Sequence, residues 1–329
     1  GYTIEAGPDC FFTEKPQTLE LCRELGIQDR LLPTEETHKR TFVLWKGRLY
    51  ELPEGVILMV PTRIVPFLLS GLISVRGKLR MGMELFIPRR ENTGDESLAA
   101  FVRRRFGEEA LIKIAEPLAA GVHAGDSETM SVRSTFPRFI EMEEKYGSLI
   151  KAMIARRRRV SQGDAQAPLT MFMTLREGLG EMIHALEQRI PREWIQQDVS
   201  VMAIERSSKG YEVLLSNSTR VRASGVLLCT PAYSASKILR GLNPALSGHL
   251  ERIPYVSTAT VSLGYRRGDI SHSMKGFGFV VPRTEGRRVM ACTWTSSKFS
   301  FRAPSDRVLL RFFVGGTHGQ RFLDQNDDA

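Results

Sequence analysis

The sequence predicts a mixed α/β fold, in which α/β segments flank a helical insertion and antiparallel sheet closes the chain. Three observations carry this reading. Short alternating runs and Gly/Pro turns mark strands up to about residue 60. Helical periodicity then holds from about Pro61 to Arg159, and the last hundred residues are strand-rich.

The elements follow in order. Tyr2-Thr3-Ile4-Glu5-Ala6 alternates like a strand and stops at the turn Ala6-Gly7-Pro8-Asp9. A helix comes next, with Pro16 in its first turn, Leu19, Leu21, Cys22 and Leu25 as apolar positions, and Gly26 as its stop. Thr41 to Trp45, the turn Lys46-Gly47-Arg48 and Leu49 to Leu52 predict a hairpin. Thr93-x-x-Glu96 reads as a capping box ahead of Leu98, Phe101, Val102 and Phe106, which share one helical face up to Gly107. Ala110 to Leu118 reads as a short helix before Ala119-Ala120-Gly121, and Phe136 to Arg159 as another. Ser161 to Pro168 reads as a loop or boundary. Gly178 to Arg189 is an amphipathic helix with Leu179, Met182, Ile183 and Leu186 on one face. Strands are expected at Val199–Ile204, Tyr211–Leu215, Val226–Cys229, Thr258–Tyr265, Phe277–Val281, Val289–Trp294 and Val308–Val314. Gly1 opens inside an alternating run and Asp327-Asp328-Ala329 completes no element, so the chain reads as a piece of something longer.

Composition excludes some classes. Hydrophobic residues at 42% and charged residues at 25% rule out bulk disorder. No run reaches the ~20 apolar residues that span a bilayer. The longest, Ile64 to Val75, is broken by Pro66, Ser70 and Gly71 and reads as buried or interfacial. Cys10, Cys22, Cys229 and Cys292 are too scattered for a disulfide framework or a zinc site, which points to a reducing cytoplasm. The net charge of +9 suits nucleic acid, an anionic membrane or a ligand with several carboxylates. Arg103-Arg104-Arg105 and Arg156 to Arg159 read as solvated helix faces. Neither Gly276-Phe277-Gly278 nor Gly178-Leu179-Gly180 completes a G-x-G-x-x-G, and there is no P-loop, H-E-x-x-H or G-x-S-x-G. The six histidines form no i, i+4 pair. Redox chemistry here would need a bound cofactor.

Several stretches then act together. Ile4 to Asp9, Phe42 to Tyr50, Pro53-Glu54-Gly55, Arg76 to Met81, Asp95 through Glu116 to Gly121, Ser134 to Pro137 with Tyr146 to Ile150, Ala291 to Thr295, Arg302-Ala303-Pro304 and Val314-Gly315-Gly316 occur in one order and spacing. The chain resembles the flavin-dependent protoporphyrinogen oxidase family, close to its bacterial porphyrinogen oxidases, which include coproporphyrinogen oxidases. The resemblance covers nearly all 329 residues.

The resemblance implies an FAD/NAD(P)-binding, Rossmann-like domain that is incomplete here, lacking the first Gly-rich unit and the last flavin motif. Residues 1–35 and 161–231 would be parts of that domain. Residues 36–160 would be the substrate-domain hairpin and the helical, membrane-facing insertion, and 232–329 the antiparallel substrate sheet. As written, the chain is expected to bind FAD poorly, and the complete protein to bind it.

Gly7, Pro8 and Asp9 match the segment along the flavin, where glycine admits close approach. Val201 matches a strand valine whose backbone meets the adenine. Arg40 matches an arginine facing a propionate, with Lys39 and Arg48 as near alternatives. Gly121 matches a glycine bordering the substrate ring; Ala124 stands where relatives often have a second glycine. Phe277 and Trp294 match apolar walls around the macrocycle, with Val261 as a third candidate. Sheet core is the competing reading for Val201, Phe277 and Trp294.

The implied reaction is oxidation of protoporphyrinogen IX to protoporphyrin IX for haem synthesis. Hydride leaves a meso carbon for flavin N5, dioxygen reoxidises the flavin to give peroxide, and the cycle repeats. No catalytic acid or base and no metal is assigned. The alternatives are coproporphyrinogen III as substrate, another flavin amine oxidase superfamily member such as an amine oxidase or carotene desaturase, and a non-enzymatic basic protein of a membrane surface or nucleic acid. The expected partners are the porphyrinogen, dioxygen, a peripheral membrane contact and a second copy of the chain; nucleic acid is not expected.

Overall fold

The computed structural model describes residues 1–53, 56–57, 60–61, 64–91, 94–160 and 170–325. Glu54, Gly55, Thr93, the 161–168 loop and the last residues read as cut lie outside them. The chain forms two compact units, Gly1–Met182 with Val256–Ala329, and Ile183–Tyr255.

The first unit is built on a six-stranded sheet. Its strands are β1 (Thr41–Trp45), β2 (Arg48–Glu51), β3 (Thr258–Arg266), β4 (Gly278–Val280), β5 (Val289–Trp294) and β6 (Arg307–Gly315), in the order β3-β6-β5-β4-β1-β2. All neighbours are antiparallel except β4 and β1. The β1–β2 hairpin forms as expected. Lys46 at φ 50° and Gly47 at φ 73° supply the two left-handed residues that a tight two-residue turn requires.

Alternation along the strands gives the sheet two unlike faces. On one face Cys292 and Trp294 pack with Phe42, Phe279 and Phe312. On the other, Val43, Val280 and Ala291 join the helices in the largest core, with Leu98, Phe101, Phe139 and Leu149. Each of these large side chains contributes about 1.5–3 kcal/mol by leaving water.

The helical part shows four departures from expectation. The Leu98–Phe106 helix is capped by Ser97, whose Oγ accepts from the Ala100 N–H at 3.1 Å. The following helix does not end at Leu118. It passes through a π-helical turn, Leu111–Ala115, and continues as Glu116–His123 until Ala124 at φ 53°. The Phe136–Arg159 stretch is two helices, Pro137–Tyr146 and Leu149–Val160, because Gly147 turns left-handed at φ 68°. The Arg103–Arg105 run is not a solvated face. Arg103 pairs with Glu108 and Glu128, Arg104 with Glu96 and Glu143, and Arg105 is fully buried.

Tyr2–Ala6 is extended but joins no sheet; its Thr3 N–H donates to the Arg302 carbonyl at 3.0 Å. A small sheet that local pattern did not suggest pairs Phe11–Phe12 and Leu31–Pro33 with Phe172–Leu175.

In the second unit, Val201–Ser207, Gly210–Leu215 and Arg220–Ala223 form an antiparallel meander. The helices Ala232–Leu239 and Pro244–Glu251 complete it around Ile204, Val213, Ile238 and Leu239. Val226–Cys229 is not a strand; the meander's third strand is Arg220–Ala223 instead.

Candidate functional site

The N-terminal segment Thr3–Cys10 is held by charges from the sheet and from the turns after β5. Arg302 Nη2 donates to Glu5 Oε1 and to Thr174 Oγ1, both at 2.9 Å. Arg311 Nη2, from the middle of β6, donates to the Gly7 carbonyl. Lys298 Nζ lies 3.2 Å from Asp9 Oδ1 and 3.0 Å from Cys10 Sγ. All three cations are buried, at 0%, 5% and 8% exposure for Arg302, Arg311 and Lys298.

Electrostatics follow from this packing. Burial pushes the Asp9 carboxyl up, but the Lys298 ammonium, Cys10 and the Arg311 charge hold it below the usual carboxylate range. Burial opposes the charge on Lys298, yet Asp9 and Cys10 keep its pKa above the ordinary lysine value. Cys10 is pushed up to about 11 by burial, so it is a thiol at neutral pH.

These residues enclose a cavity of about 10 Å³, lined by Glu5, Asp9, Ser262, Thr295, Arg302 and Arg311 among others. That volume admits about one water molecule. Among the described residues, seven buried side-chain N and O atoms lack a hydrogen-bond partner. Five of them belong to residues of this cavity: Asp9 Oδ2, Thr295 Oγ1, Arg302 Nε and Nη1, and Arg311 Nε. Buried polar groups are normally satisfied, and a water molecule in this cavity would give several of these atoms a partner.

Beside it, Gly7 and Pro8 are exposed, and a Cβ built at Gly7 meets nothing within 4 Å. Arg311 holds the Gly7 carbonyl, and Lys298 holds the Asp9 and Cys10 side chains next to it. The exposed Gly7–Pro8 backbone leaves room for a flat ring such as a flavin's to lie against it. The ring has no room inside the one-water cavity and would rest against Gly7 and Pro8.

The substrate candidates are only partly brought together. The Phe277 N–H donates to the Arg40 carbonyl at 2.7 Å, and the Trp294 N–H to the Phe277 carbonyl at 2.8 Å. The Arg40 side chain is 57% exposed and lies 3.5 Å from Glu51 Oε1. Trp294, however, is 2% exposed and packs on Phe42 and His272, with ring centroids at 5.3 and 4.9 Å. It packs in the sheet core, the competing reading for this residue. Val261 lies on the edge strand β3, in register with Phe312 and so with the Trp294 face. Gly121 faces Val280 and Ala291 on the opposite face, where a Cβ would lie 3.5 Å from Val280 Cγ1. One wall cannot contain Gly121, Trp294 and Val261 together. In the second unit Val201 begins its strand at a bulge between Val201 and Ala203, which interrupts the ladder at its backbone.

Lys298 and Arg311 were not singled out from sequence. The available signal was a lone arginine in Val308-Leu309-Leu310-Arg311-Phe312-Phe313, a run apolar on both strand faces.

Comparison with known proteins places the chain. It is 33% identical over 329 residues to the coproporphyrinogen III oxidase of Bacillus subtilis (strain 168), covering all of this chain and 69% of that one. It is 35% identical to the coproporphyrinogen III oxidase of Staphylococcus aureus, again along its whole length and over 71% of the relative. The chloroplastic protoporphyrinogen oxidase of Nicotiana tabacum is 30% identical, with 99% of this chain and 61% of that one covered. Among solved structures, a chain assigned as a protoporphyrinogen oxidase from Exiguobacterium sp. 255-15 superposes with a TM-score of 0.84 at 28% identity, covering 99% of this chain and 69% of that one. A putrescine oxidase at 14% identity, covering 99% of this chain and 67% of that one, shares the fold with a TM-score of 0.63. The model of flavin-containing amine oxidoreductases matches residues 1–329, and the chain belongs to that family.

Proposed function

We propose that this protein oxidises a porphyrinogen to the corresponding porphyrin in haem biosynthesis, with FAD as its flavin and dioxygen as the final acceptor. The observation that carries this is the exposed Gly7–Pro8 backbone, with the Gly7 carbonyl held by buried Arg311 and the Asp9 side chain by buried Lys298, in a chain whose relatives at 33% and 35% identity are coproporphyrinogen III oxidases. When bound, the flavin supplies the hydride-accepting chemistry.

The chain's own residues position and exclude. Gly7, Pro8 and Asp9 form the floor for the ring. Within the second unit, taken by itself, the Val201 backbone at its bulge is the candidate contact for the adenine. Residues 1–35 and 161–231 carry the cofactor side, and the hairpin, the helical insertion and the final sheet carry the substrate side. Arg40, exposed and loosely paired with Glu51, is free to exchange that partner for a propionate. Phe277 and Gly121 supply apolar and backbone contacts, Val261 borders the same sheet, and Trp294 acts from the core by holding the Phe277 carbonyl.

Protoporphyrinogen IX and coproporphyrinogen III are both candidate substrates. The two relatives just cited and the +9 charge favour coproporphyrinogen III, which carries four propionates against two. Turnover of the full-length protein on each porphyrinogen tests this. Faster conversion of coproporphyrinogen III is the expected result, and oxidation of amines with neither porphyrinogen turned over overturns the proposal.

A peripheral membrane contact belongs to the same proposal. Among the described residues no helix is long and apolar enough to cross a membrane. Yet Leu68 and Leu69, then Val75, Leu79, Met83 and Phe86 at near-helical spacing, are exposed. Such a stripe beside Arg76 suits an interfacial helix. Flotation with anionic liposomes is expected for the wild type and lost in Leu79→Glu/Phe86→Glu.

A further inference from the structure

Arg311 differs from the other buried cations of the site. Lys298 has Asp9 at 3.2 Å and Arg302 has Glu5 at 2.9 Å, but among the described residues no ion pair involves Arg311. It is 5% exposed, its Nε is buried with no partner, and its guanidinium lies 5.3 Å from the centre of the Phe313 ring. Asp9 feels the Arg311 charge, but among the described residues its ion pair is with Lys298 and no carboxylate lies within ion-pair distance of Arg311. A buried unpaired charge is costly, and an apolar side chain of similar size would pack there at less expense. The charge is therefore best explained by a group that the chain itself does not supply. Its one hydrogen bond through Nη2 points to where that group lies. The acceptor is the carbonyl of Gly7, an exposed residue at which a Cβ would meet nothing within 4 Å.

We infer that Arg311 is a positioning residue of the flavin site, holding the Gly7 carbonyl and offering its charge, which has no ion-pair partner among the described residues, to the reduced flavin. This rests on the reading that Gly7–Asp9 lines the flavin. The charge balance is simple. A neutral oxidised ring that takes up a hydride, with both its electrons, gains one negative charge. A fixed cation in a poorly solvated site stabilises that charge without reorganising. Arg311 thus favours the reduced state over the oxidised one and makes the flavin a better acceptor of the substrate's hydride.

The test uses the full-length, flavin-loaded protein with Arg311→Met, Arg311→Gln and Arg311→Lys. The midpoint potential of the flavin couple is measured by anaerobic reductive titration, and melting of the apo-protein is followed separately. Arg311→Met and Arg311→Gln are expected to shift the reduced-to-oxidised balance about tenfold against reduction, which for a two-electron couple is ~30 mV to the negative. Arg311→Lys restores most of this, and the apo-protein of Arg311→Met melts no lower than wild type. Wild-type potential in Arg311→Met, with a lowered melting temperature, overturns the inference and makes Arg311 a structural residue. Gly7→Leu separates the two readings. If Gly7→Leu keeps its flavin, the Gly7–Asp9 reading fails, and this inference fails with it. If it loses flavin while Arg311→Met keeps the wild-type potential, the inference alone fails.

Discussion

Arg105 in the helical layer and Arg311 in the six-stranded sheet are both nearly inaccessible to water, yet their surroundings are opposite. Arg105 lies 3.3 Å from Glu84 and 2.8 Å from Glu143, and it donates to the carbonyls of Ile87 and Gly147. Glu84 in turn accepts from the Ser148 hydroxyl and the Leu149 N–H. Every partner comes from the fold, and the network joins one helix to the loops beside it. Arg311 has one backbone carbonyl, one aromatic ring and, among the described residues, no carboxylate within ion-pair distance. The first arrangement is what a structural buried ion pair requires. The second has no such carboxylate, and among the described residues the Nε of both arginines is buried without a partner, so ion pairing, not full satisfaction of the guanidinium, is what distinguishes the two sites.

Mutations that treat the two regions alike break this contrast or sharpen it. Glu84→Ala leaves Arg105 with one carboxylate and strips the Ser148–Leu149 turn, so a loss of about 3–5 kcal/mol is expected in urea denaturation followed by helical circular dichroism. A near-neutral result would erase the distinction. Arg311→Met in the apo-protein is expected to change stability by less than ~1 kcal/mol, or to raise it. Arg40→Ala is expected to raise KM for coproporphyrinogen III about tenfold with little change in kcat, equivalent to one charge-assisted hydrogen bond of about 1.4 kcal/mol. An unchanged KM would remove Arg40 from the substrate side. The smallest effect concerns the thiols. Cys10 and Cys292 are pushed up by burial to about 11 and about 12, so both stay protonated at pH 8. Only exposed Cys229 is expected to react promptly with a thiol reagent, while Cys10 and Cys292 wait for unfolding. Fast labelling of Cys10 would show that the Lys298–Asp9 corner opens.

Elements made by local chemistry were legible in the sequence. Lys46-Gly47 specifies its own turn, and the Leu98–Phe106 helix carries its apolar period, although Ser97 rather than Thr93 supplies the cap. Elements that depend on distant partners were not. Val226–Cys229 has strand composition but no strand beside it, and the pairing of Phe11 with Met173 spans too much chain for any local signal. The site divides the same way. The Gly7–Asp9 segment was recognisable as a motif, whereas the roles of Lys298, Arg302 and Arg311 depend on which carboxylates lie near them. Alternation put Trp294 correctly in a strand but could not say that its face is packed against Phe42 and His272.

A crystal structure of the full-length protein grown with its flavin tests the central claim most directly. The ring is predicted in van der Waals contact with Gly7 and Pro8, with Arg311 still donating to the Gly7 carbonyl and water or ligand atoms meeting Asp9 Oδ2 and Arg311 Nε. A flavin bound elsewhere, with Gly7 facing solvent and those buried atoms satisfied by other protein groups, would contradict it.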